Sequence, residues 1–356
     1  MIYLDNAATT KMCEAAVNAY INAPFGNPSS LHGLGIRAEG EIKAVREKLA
    51  AKLGANREEI IFTSGGSESN NTAILGAARA KVRRGKHVIT TGVEHASVLE
   101  TCKVLEREGF EVTYLAPDEI TISGVLKYLR DDTVLVSVMA VNNEVGAIYP
   151  IGEIAKAVKG KNPDIIFHTD AVQAFGKIPL NLREGKVDLL SLSAHKIHGP
   201  KGVGALYIRK GVRVLPLVNG GGQEKGLRSG TENVPGILAF GATLDFEQMN
   251  NGLINRLKDG LAGVSGIHIL REPEAPHILS ISIPKYPSEV LMRILEDKGI
   301  YVSSGSACSK GKRSYVLTAY KVNPKLIDSA IRVSISKDTT EAEIYEFINT
   351  VKELFG

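Results

Sequence analysis

Cysteine is scarce in this chain, which has three cysteines, Cys13, Cys102 and Cys308, among 356 residues. Their spacings fit neither a metal site nor a framework of disulfide bonds. We therefore expect no metal centre and a reducing compartment, so that a cytoplasmic location is predicted.

Long apolar runs are absent as well. No stretch approaches the roughly 18 consecutive apolar residues that a membrane-spanning helix requires. Residues 1–6 do not combine a basic region with an apolar stretch, as a secretory signal would. The sequence therefore predicts a protein that neither enters a membrane nor carries a cleaved leader.

An excess of charge of one sign is also missing, because the net charge is only +4. The longest basic cluster, at residues 81–86, falls where a helix is expected to end. Cations stabilise the carbonyl end of a helix, so we interpret this cluster as a solvated helix end rather than a nucleic-acid contact. No direct nucleic-acid partner is expected.

The order of apolar patterns along the chain predicts the fold class. Hydrophobic residues make up 44% of the sequence, and its length is more than one core of ordinary size needs. Short β-rich runs alternate with helical patterns through the first two thirds of the chain, which predicts an α/β fold with a mostly parallel sheet flanked by helices. Strands are predicted at residues 59–63, 87–91, 111–115, 133–141, 165–169, 189–193 and 203–208.

Beyond about residue 239 the pattern changes to helices, several prolines and short strands, among them residues 300–303 and 331–335. This change indicates a smaller α+β C-terminal domain. We place the large domain at residues 14–245 and the small domain at residues 1–13 and 246–356.

Ligands of open α/β sheets bind at the carboxyl ends of the strands, and a glycine-rich turn follows the first long strand here. Gly65 and Gly66 form this turn, and Ser67 then begins a helix. Glycine lets the backbone approach a ligand closely, and the free N–H groups of a helix start favour a phosphate. A serine-capped helix after a tight turn is the alternative interpretation.

Three further strand ends carry His95, Asp170 and Lys196. A buried carboxylate is costly unless a cation pairs with it, and a protonated pyridine nitrogen is such a cation. A lysine at a strand end can form an imine with a carbonyl cofactor once its pKa is lowered. Each residue alone has a structural explanation, but their order along the chain predicts a site for pyridoxal 5′-phosphate (PLP).

Nine segments of the sequence resemble motifs of one enzyme family, the cysteine desulfurases of the NifS/IscS type. These enzymes are class-V aminotransferases, which are PLP-dependent and have fold type I. The resemblance runs nearly end to end and is carried by residues 4–10, 26–32, 63–71, 141–146, 168–173, 193–202, 228–231, 303–308 and 330–332. It implies a large α/β domain and a smaller α+β C-terminal domain.

The resemblance assigns the cofactor phosphate to Gly66, Ser67, Ser193 and His195. Ser67 stands where the family usually has threonine, and this exchange keeps the hydroxyl group. Thr231 is expected to reach the phosphate of a neighbouring subunit, which implies a homodimer.

By the same resemblance, the cofactor ring is expected to lie among five residues. His95 stacks on the ring and moves protons, and Asp170 pairs with the pyridine nitrogen. Gln173 and Asn143 approach the ring oxygen and the substrate. Lys196 holds the cofactor covalently.

The remaining roles implied by the resemblance concern the substrate, L-cysteine. Arg332 is expected to bind its carboxylate, a bidentate task that suits a guanidinium. Cys308 is followed by Lys310, Lys312 and Arg313, whose charges favour the reactive thiolate. The resemblance makes Cys308 the nucleophile that takes the substrate sulfur as a persulfide and leaves L-alanine.

The other two cysteines have less distinctive surroundings. Cys102 lies on one predicted helix face with Val98 and Leu105, which indicates a core position. Cys13 stands at the start of a predicted helix and has no evident partner.

Three functions are compatible with these residues. A cysteine desulfurase needs Cys308, whereas a class-V aminotransferase or another lyase would share the PLP pocket without needing it. A catalytically idle PLP-binding partner or sulfur-carrier scaffold is the third possibility, and the intact set of Lys196, Asp170, Arg332 and Cys308 argues against it. For a desulfurase, the expected acceptor is an iron–sulfur cluster scaffold or a tRNA thiolation protein. The segment at residues 309–315 is shorter than the family's loop, which bears on the acceptor and the rate.

Overall fold

The computed structural model describes residues 1–246, 249–304 and 313–356. The strands in these ranges are β1 (Ile2–Tyr3), β2 (Ile60–Thr63), β3 (His87–Thr91), β4 (Glu111–Leu115), β5 (Thr133–Ser137), β6 (Ile166–Asp170), β7 (Leu189–Ser193), β8 (Gly204–Ile208), β9 (His268–Ile269), β10 (Ile278–Ser282), β11 (Ile300–Tyr301) and β12 (Ala330–Ser334).

The α-helices of the same ranges are α1 (Glu14–Ile21), α2 (Gly33–Leu53), α3 (Gly66–Ala80), α4 (Ala96–Arg107), α5 (Ile122–Lys127), α6 (Ile151–Lys161), α7 (Leu182–Gly185), α8 (Val234–Ala242), α9 (Gly252–Leu261), α10 (Ser288–Asp297), α11 (Tyr315–Ala319), α12 (Pro324–Ile327) and α13 (Glu341–Phe355). No helix in the described part of the chain has the length and apolarity needed to cross a membrane.

A seven-stranded sheet organises the larger part of the molecule, with the strand order β2-β8-β7-β6-β5-β3-β4. All neighbouring strands are parallel except β8, which is antiparallel to both β2 and β7. The predicted α/β fold with a mostly parallel sheet is confirmed. Because β8 runs the other way, the carboxyl ends of β2 and β7 lie at the same edge of the sheet.

Both faces of this sheet are covered, as parallel sheets require. Successive side chains of β2 alternate between two apolar cores: Ile60 packs in the core that includes Leu49 of α2, and Ile61 packs in the core that includes Ile74 of α3. The period of two along a strand therefore assigns α2 and α3 to opposite faces.

Gly204, the first residue of β8, allows the turn after β2 to approach the end of β7. A Cβ atom at this position would lie 2.5 Å from the Leu192 carbonyl oxygen and 2.7 Å from the Gly65 Cα atom. Both atoms belong to the backbone and cannot move aside cheaply. Any larger residue at position 204 would therefore force the two strand ends apart.

A third apolar core lies in the C-terminal part of the chain and includes Leu4 and Phe347. It packs on an antiparallel sheet of order β12-β10-β9, while β1 pairs in parallel with β11. A bridge between Asp5 and Ser334 attaches the N-terminal segment to β12. These contacts are compatible with the expected grouping of residues 1–13 with 246–356, and the boundaries stay a prediction.

Two predicted strands are longer than the observed ones by two residues or more. The strand predicted at residues 133–141 ends as β5 at Ser137, although Val138 and Ala140 still donate backbone hydrogen bonds to the chain at β6. The strand predicted at residues 300–303 ends at Tyr301, because the chain leaves β1 there and Ser303 pairs antiparallel with Arg332 instead. A change of pairing partner ends a strand without leaving a signal in the local sequence.

Candidate active site

A cavity of about 370 Å³ opens at the carboxyl ends of the parallel strands and is closed on one side by the N-terminal segment and β12. Ten residues that the sequence assigns to the site line this cavity: Gly66, Ser67, His95, Asn143, Asp170, Gln173, Ser193, His195, Lys196 and Arg332. The structure therefore brings together residues that are far apart in the chain, up to the 266 positions between Gly66 and Arg332.

The turn after β2 has the shape of an anion cradle. Gly66 begins α3, and a Cβ atom on it would lie 2.7 Å from Val172 Cγ2. The N–H groups of the first helical turn have no acceptor within the helix, so they are available to an anion. Ser67 and Ser193 add hydroxyl groups at the same end of the cavity.

Asp170 is a buried carboxylate, 5% exposed, at the end of β6. The Asn70 amide donates to it at 2.7 Å, and the Val172 N–H donates at 2.9 Å. Both donors are neutral, and no cation forms an ion pair with this carboxylate within the described ranges. The cavity thus holds a negative charge that suits a cationic group on a ligand.

Asn70 also connects Asp170 to His95. Its amide nitrogen lies 2.9 Å from the Ser97 hydroxyl, which contacts His95 Nδ1 at 2.8 Å. The Ser97 N–H donates to the same Nδ1, so that the His95 proton lies on Nε2. Burial lowers the pKa of His95, the Lys196 charge lowers it further and the Asp170 charge opposes both, which favours a neutral ring.

Lys196 lies just after β7, and its amine is held by the N-terminal segment. Nζ donates to the carbonyl oxygens of Ala7 and Ala8, at 2.7 Å in each case. Neighbouring His195 contacts the Thr9 hydroxyl through Nδ1 at 3.1 Å. Burial and then the Lys196 charge lower the pKa of His195 to about 4, so this ring is neutral and can donate to an anion without being charged.

Arg332 supplies a fixed positive charge on the opposite wall. It is 2% exposed and lies on β12, and its guanidinium donates at 2.8 Å to the Asn143 carbonyl oxygen and at 2.8 Å to Asp5. Asn143 Oδ1 is buried and has no hydrogen-bond partner within the part of the chain that the structure describes. An orphaned acceptor beside a guanidinium is typical of a site that awaits a polar ligand.

Of the predicted site residues that the structure describes, Thr231 does not line the cavity. Thr231 is exposed to solvent away from the cavity. Cys308 lies outside the described residues. The other two cysteines are where the sequence predicts them, since Cys102 is buried in an apolar core and Cys13 stands directly before the first residue of α1.

Several groups at the site escaped sequence reasoning. Asn70, Ser97 and the carbonyls of Ala7 and Ala8 hold the predicted residues in place, and Tyr315 lines the cavity while donating to the Glu94 carbonyl at 2.5 Å. Asn70 and the two alanines do fall inside segments that resemble family motifs. Their neutral or backbone chemistry gave no reason to single them out.

The aminotransferase class-V family matches residues 2–347, and the chain belongs to this family. Its similarity is to the cysteine desulfurases of the NifS/IscS type. It is 43% identical to the cysteine desulfurase IscS of Methanosarcina thermophila, over 99% of this chain and 91% of that protein. Two solved structures are also similar: a NifS-like protein (40% identity, TM-score 0.91, 99% and 98% of the two chains) and SspA in complex with cysteine (34% identity, TM-score 0.83, 94% and 99%).

Enzymes of this family depend on PLP, and this chain is a PLP-dependent enzyme of fold type I. The cavity has the groups that such a cofactor needs. The cradle at Gly66 suits a phosphate, the carboxylate of Asp170 forms no ion pair with a described residue, and Lys196 offers an amine. The described residues of the cavity therefore fit this cofactor.

The carboxyl of Glu94, next to His95, generates a prediction on pH. Glu94 is completely buried, and burial followed by the Asp170 charge raises its pKa from 4.5 to about 8. The folded protein therefore keeps a proton that the unfolded chain loses, and stability falls as the pH rises from 4.5 to 8. We expect Glu94→Gln to remove this loss. The free energy of unfolding of the variant should therefore rise relative to that of the wild type between pH 4.5 and 8, by roughly a few kcal/mol.

The measurement is the free energy of unfolding in urea at several pH values. Glu100→Gln, an exposed change on α4, the helix that follows Glu94, serves as the control and should follow the wild type. Parallel curves for Glu94→Gln and wild type would show that Glu94 is not protonated in the folded state.

Proposed function

We propose that this chain converts L-cysteine to L-alanine and transfers the sulfur to Cys308 as a persulfide. The observation that carries the proposal is the convergence of Asp170, Lys196 and Arg332 on one cavity, in a chain similar along its whole length to cysteine desulfurases.

The cofactor residues have separate tasks. Gly66, Ser67, Ser193 and His195 would hold the phosphate, and Asp170 would hold the protonated pyridine nitrogen. When bound to Lys196, PLP supplies an electron sink for the α-carbon of the substrate. The Asn70 and Val172 donors fix the Asp170 carboxylate in a single orientation for this pairing.

The substrate residues orient L-cysteine and move its protons. Arg332 would bind the carboxylate, because its guanidinium is already fixed by Asn143 and Asp5 and loses little freedom on binding. The Lys196 amine and His95 Nε2 are the groups placed to accept and return protons.

Cys308 completes the reaction. Its thiolate attacks the substrate sulfur, so that an S–S bond forms and the bond between sulfur and the β-carbon breaks. The β-carbon keeps the electron pair and takes a proton, which gives L-alanine, and Cys308 keeps the sulfur as a persulfide. Atoms and electrons balance without an added oxidant. Reduction or a protein acceptor, such as an iron–sulfur cluster scaffold or a tRNA thiolation protein, then removes the sulfur.

A homodimer with shared active sites extends this proposal. The region from α1 into α2 exposes large apolar side chains, including Ile21 at 72%, Phe25 at 88% and Leu31 at 94%. Exposure of this extent is typical of a surface covered by another chain. Thr231, exposed here, would then contact the phosphate in the partner's cavity.

The domain division and the location are part of the same proposal. We assign residues 14–245 to the large domain and residues 1–13 and 246–356 to the small domain that carries Cys308, supported by the packing of Leu4 in the C-terminal core. A cytoplasmic location is supported by the sparse cysteines, two of which are free thiols in the described ranges.

Mixed dimers test the shared site. A Thr231→Ala subunit paired with a Lys196→Ala subunit should regain one complete site, because each site takes Thr231 from the partner. Thr231→Ala alone should bind PLP roughly tenfold more weakly, as expected for one lost hydrogen bond to a charged group. The measurement is PLP affinity and alanine formation in differently tagged, co-expressed dimers. A monomer by light scattering, or no recovery in the mixed dimer, would contradict the proposal.

Arg332→Lys tests the carboxylate site. It keeps the charge but loses the planar fork, so KM for L-cysteine should rise roughly 10- to 100-fold while bound PLP is retained. Steady-state alanine formation gives KM, and the visible absorption of the protein reports PLP. Arg313→Ala, at an exposed cation paired with Asp328, is the control and should leave KM unchanged. An unchanged KM in Arg332→Lys together with a raised KM in Arg313→Ala would show that Arg313 binds the carboxylate.

Cys308→Ser separates a desulfurase from other PLP enzymes. The variant should keep the PLP absorption and bind L-cysteine, because Lys196 and Arg332 are intact. Alanine formation should fall by roughly a hundredfold or more, since a hydroxyl is a far poorer nucleophile toward sulfur than a thiolate. Cys13→Ser is the matched control and should behave as wild type.

The products identify the class of enzyme. Alanine and sulfide in equal amounts with a reductant support the desulfurase, a keto acid indicates an aminotransferase, and no product indicates an idle PLP-binding protein. Alanine formation at the wild-type rate by Cys308→Ser would show that the persulfide mechanism is wrong.

A further inference from the structure

Behind the cavity wall, two buried polar side chains contact Gln173 and have no part in the mechanism above. Lys177 is 5% exposed and His277 is completely buried, although both are polar. Lys177 follows Gln173 by four residues, whereas His277 comes from the segment just before β10 in the C-terminal core. Neither residue lines the cavity.

Both side chains act on the same atom of Gln173. His277 Nε2 lies 3.2 Å from Gln173 Oε1, and Lys177 Nζ donates to this oxygen over 3.5 Å. At the other end of the amide, Gln173 Nε2 donates to the Ala7 carbonyl oxygen at 2.8 Å. The same carbonyl accepts the Lys196 amine at 2.7 Å.

These contacts allow only one orientation of the Gln173 amide. Its oxygen and its NH₂ group have nearly the same size, so packing alone does not distinguish the two orientations. A rotation by half a turn would place NH₂ against the donors of Lys177 and His277, and would place the oxygen against the Ala7 carbonyl. Favourable contacts would become repulsive at both ends.

The protonation of the two side chains agrees with this arrangement. Burial lowers the pKa of His277 well below its usual value, and the charges of Lys177, Arg332 and Lys196 lower it further, so the ring is neutral. Its single proton must lie on Nε2, which faces an acceptor. Burial and then the Lys196 charge lower the pKa of Lys177 to about 7, but the amine donates in either form.

His277 Nδ1 is left without a hydrogen-bond partner within the described residues. A buried orphaned nitrogen destabilises the fold, and an apolar residue at this position would avoid that cost. The hydrogen bond to Gln173 is the favourable interaction that offsets the cost of the unpartnered Nδ1.

We propose that His277, assisted by Lys177, is a positioning residue that locks the Gln173 amide so that it offers an N–H group, and not a carbonyl oxygen, to the cofactor. This inference rests on the proposed function, because it requires PLP in the cavity. With Oε1 occupied by two donors and one N–H given to Ala7, the second N–H is what the amide can offer. Such a donor stabilises negative charge on the ring oxygen of PLP.

The test is the visible absorption of the purified PLP-bound protein without substrate, followed against pH. An N–H donor weakens the hold of the ring oxygen on the proton at the lysine-bound end of the cofactor. Loss of the donor should therefore raise the pH midpoint of the spectral change. We expect His277→Leu to raise it by about one unit, as one hydrogen bond typically does. His277→Gln, whose Nε2 can replace the histidine Nε2, should restore the wild-type midpoint.

Three comparisons separate positioning from general destabilisation. Leu279→Ala removes a buried side chain from β10 without touching Gln173 and should leave the midpoint unchanged. Gln173→Ala should give the same rise as His277→Leu, and the double variant should add nothing, because both act through one amide. If His277→Leu does not fold, Lys177→Met takes its place and should raise the midpoint by a smaller amount.

The possible failures are distinguishable. An unchanged midpoint in His277→Leu, or additive shifts in the double variant, overturns the role of His277 while PLP remains bound. A protein with no PLP absorption, and no pyridoxyl group on Lys196 after borohydride reduction, overturns the proposed function itself.

Discussion

The buried charge of Asp170 is the constraint on which the other features of the site depend. It is held by one amide and one backbone N–H, so its position is fixed, and no cation among the described residues forms an ion pair with it. Removing such a group from water is costly, and a cation on a bound ligand would offset this cost. The network from Asn70 through Ser97 to His95 extends this fixed point to the other face of the cavity, where a neutral ring is available for proton transfer.

The N-terminal segment connects the catalytic groups to both parts of the molecule. Leu4 packs in the C-terminal core and Asp5 holds Arg332, whereas the carbonyls of Ala7 and Ala8 hold Lys196 and Gln173. A short stretch of backbone therefore sets the distance between the guanidinium of Arg332 and the amine of Lys196. Side chains of small size suit this task, because the carbonyl oxygens and not the side chains make the contacts.

Much of this arrangement was predictable from the sequence, and the reasons for the failures are physical. Strands β3, β4 and β7 have the predicted bounds, because each is a short run in which apolar and β-branched residues predominate. The charged or reactive residues of the cavity were predictable for the same reason, since Asp170 and Lys196 are costly at strand ends unless they have a function. Backbone acceptors such as the Ala7 carbonyl could not be predicted, because every residue has a carbonyl and the sequence does not distinguish one from another. Contacts across more than a hundred positions, such as that between His277 and Gln173, depend on packing that local patterns do not encode.

The placement of β8 between β2 and β7 has a consequence for which molecules the site can accept. Neighbouring strands lie about 4.8 Å apart, so two intervals separate the end of β2 from the end of β7 by about 10 Å. The anion cradle follows β2 and the reactive amine follows β7, and Gly204 keeps the intervening strand from pushing them apart. The spacing of the strands thus fixes the distance between the anion cradle and the amine. A simple aldehyde can reach the amine but not the cradle. A phosphate ester without a carbonyl can fill the cradle but cannot bond to the amine. Only a molecule that carries a carbonyl and a phosphate at the right separation is therefore retained.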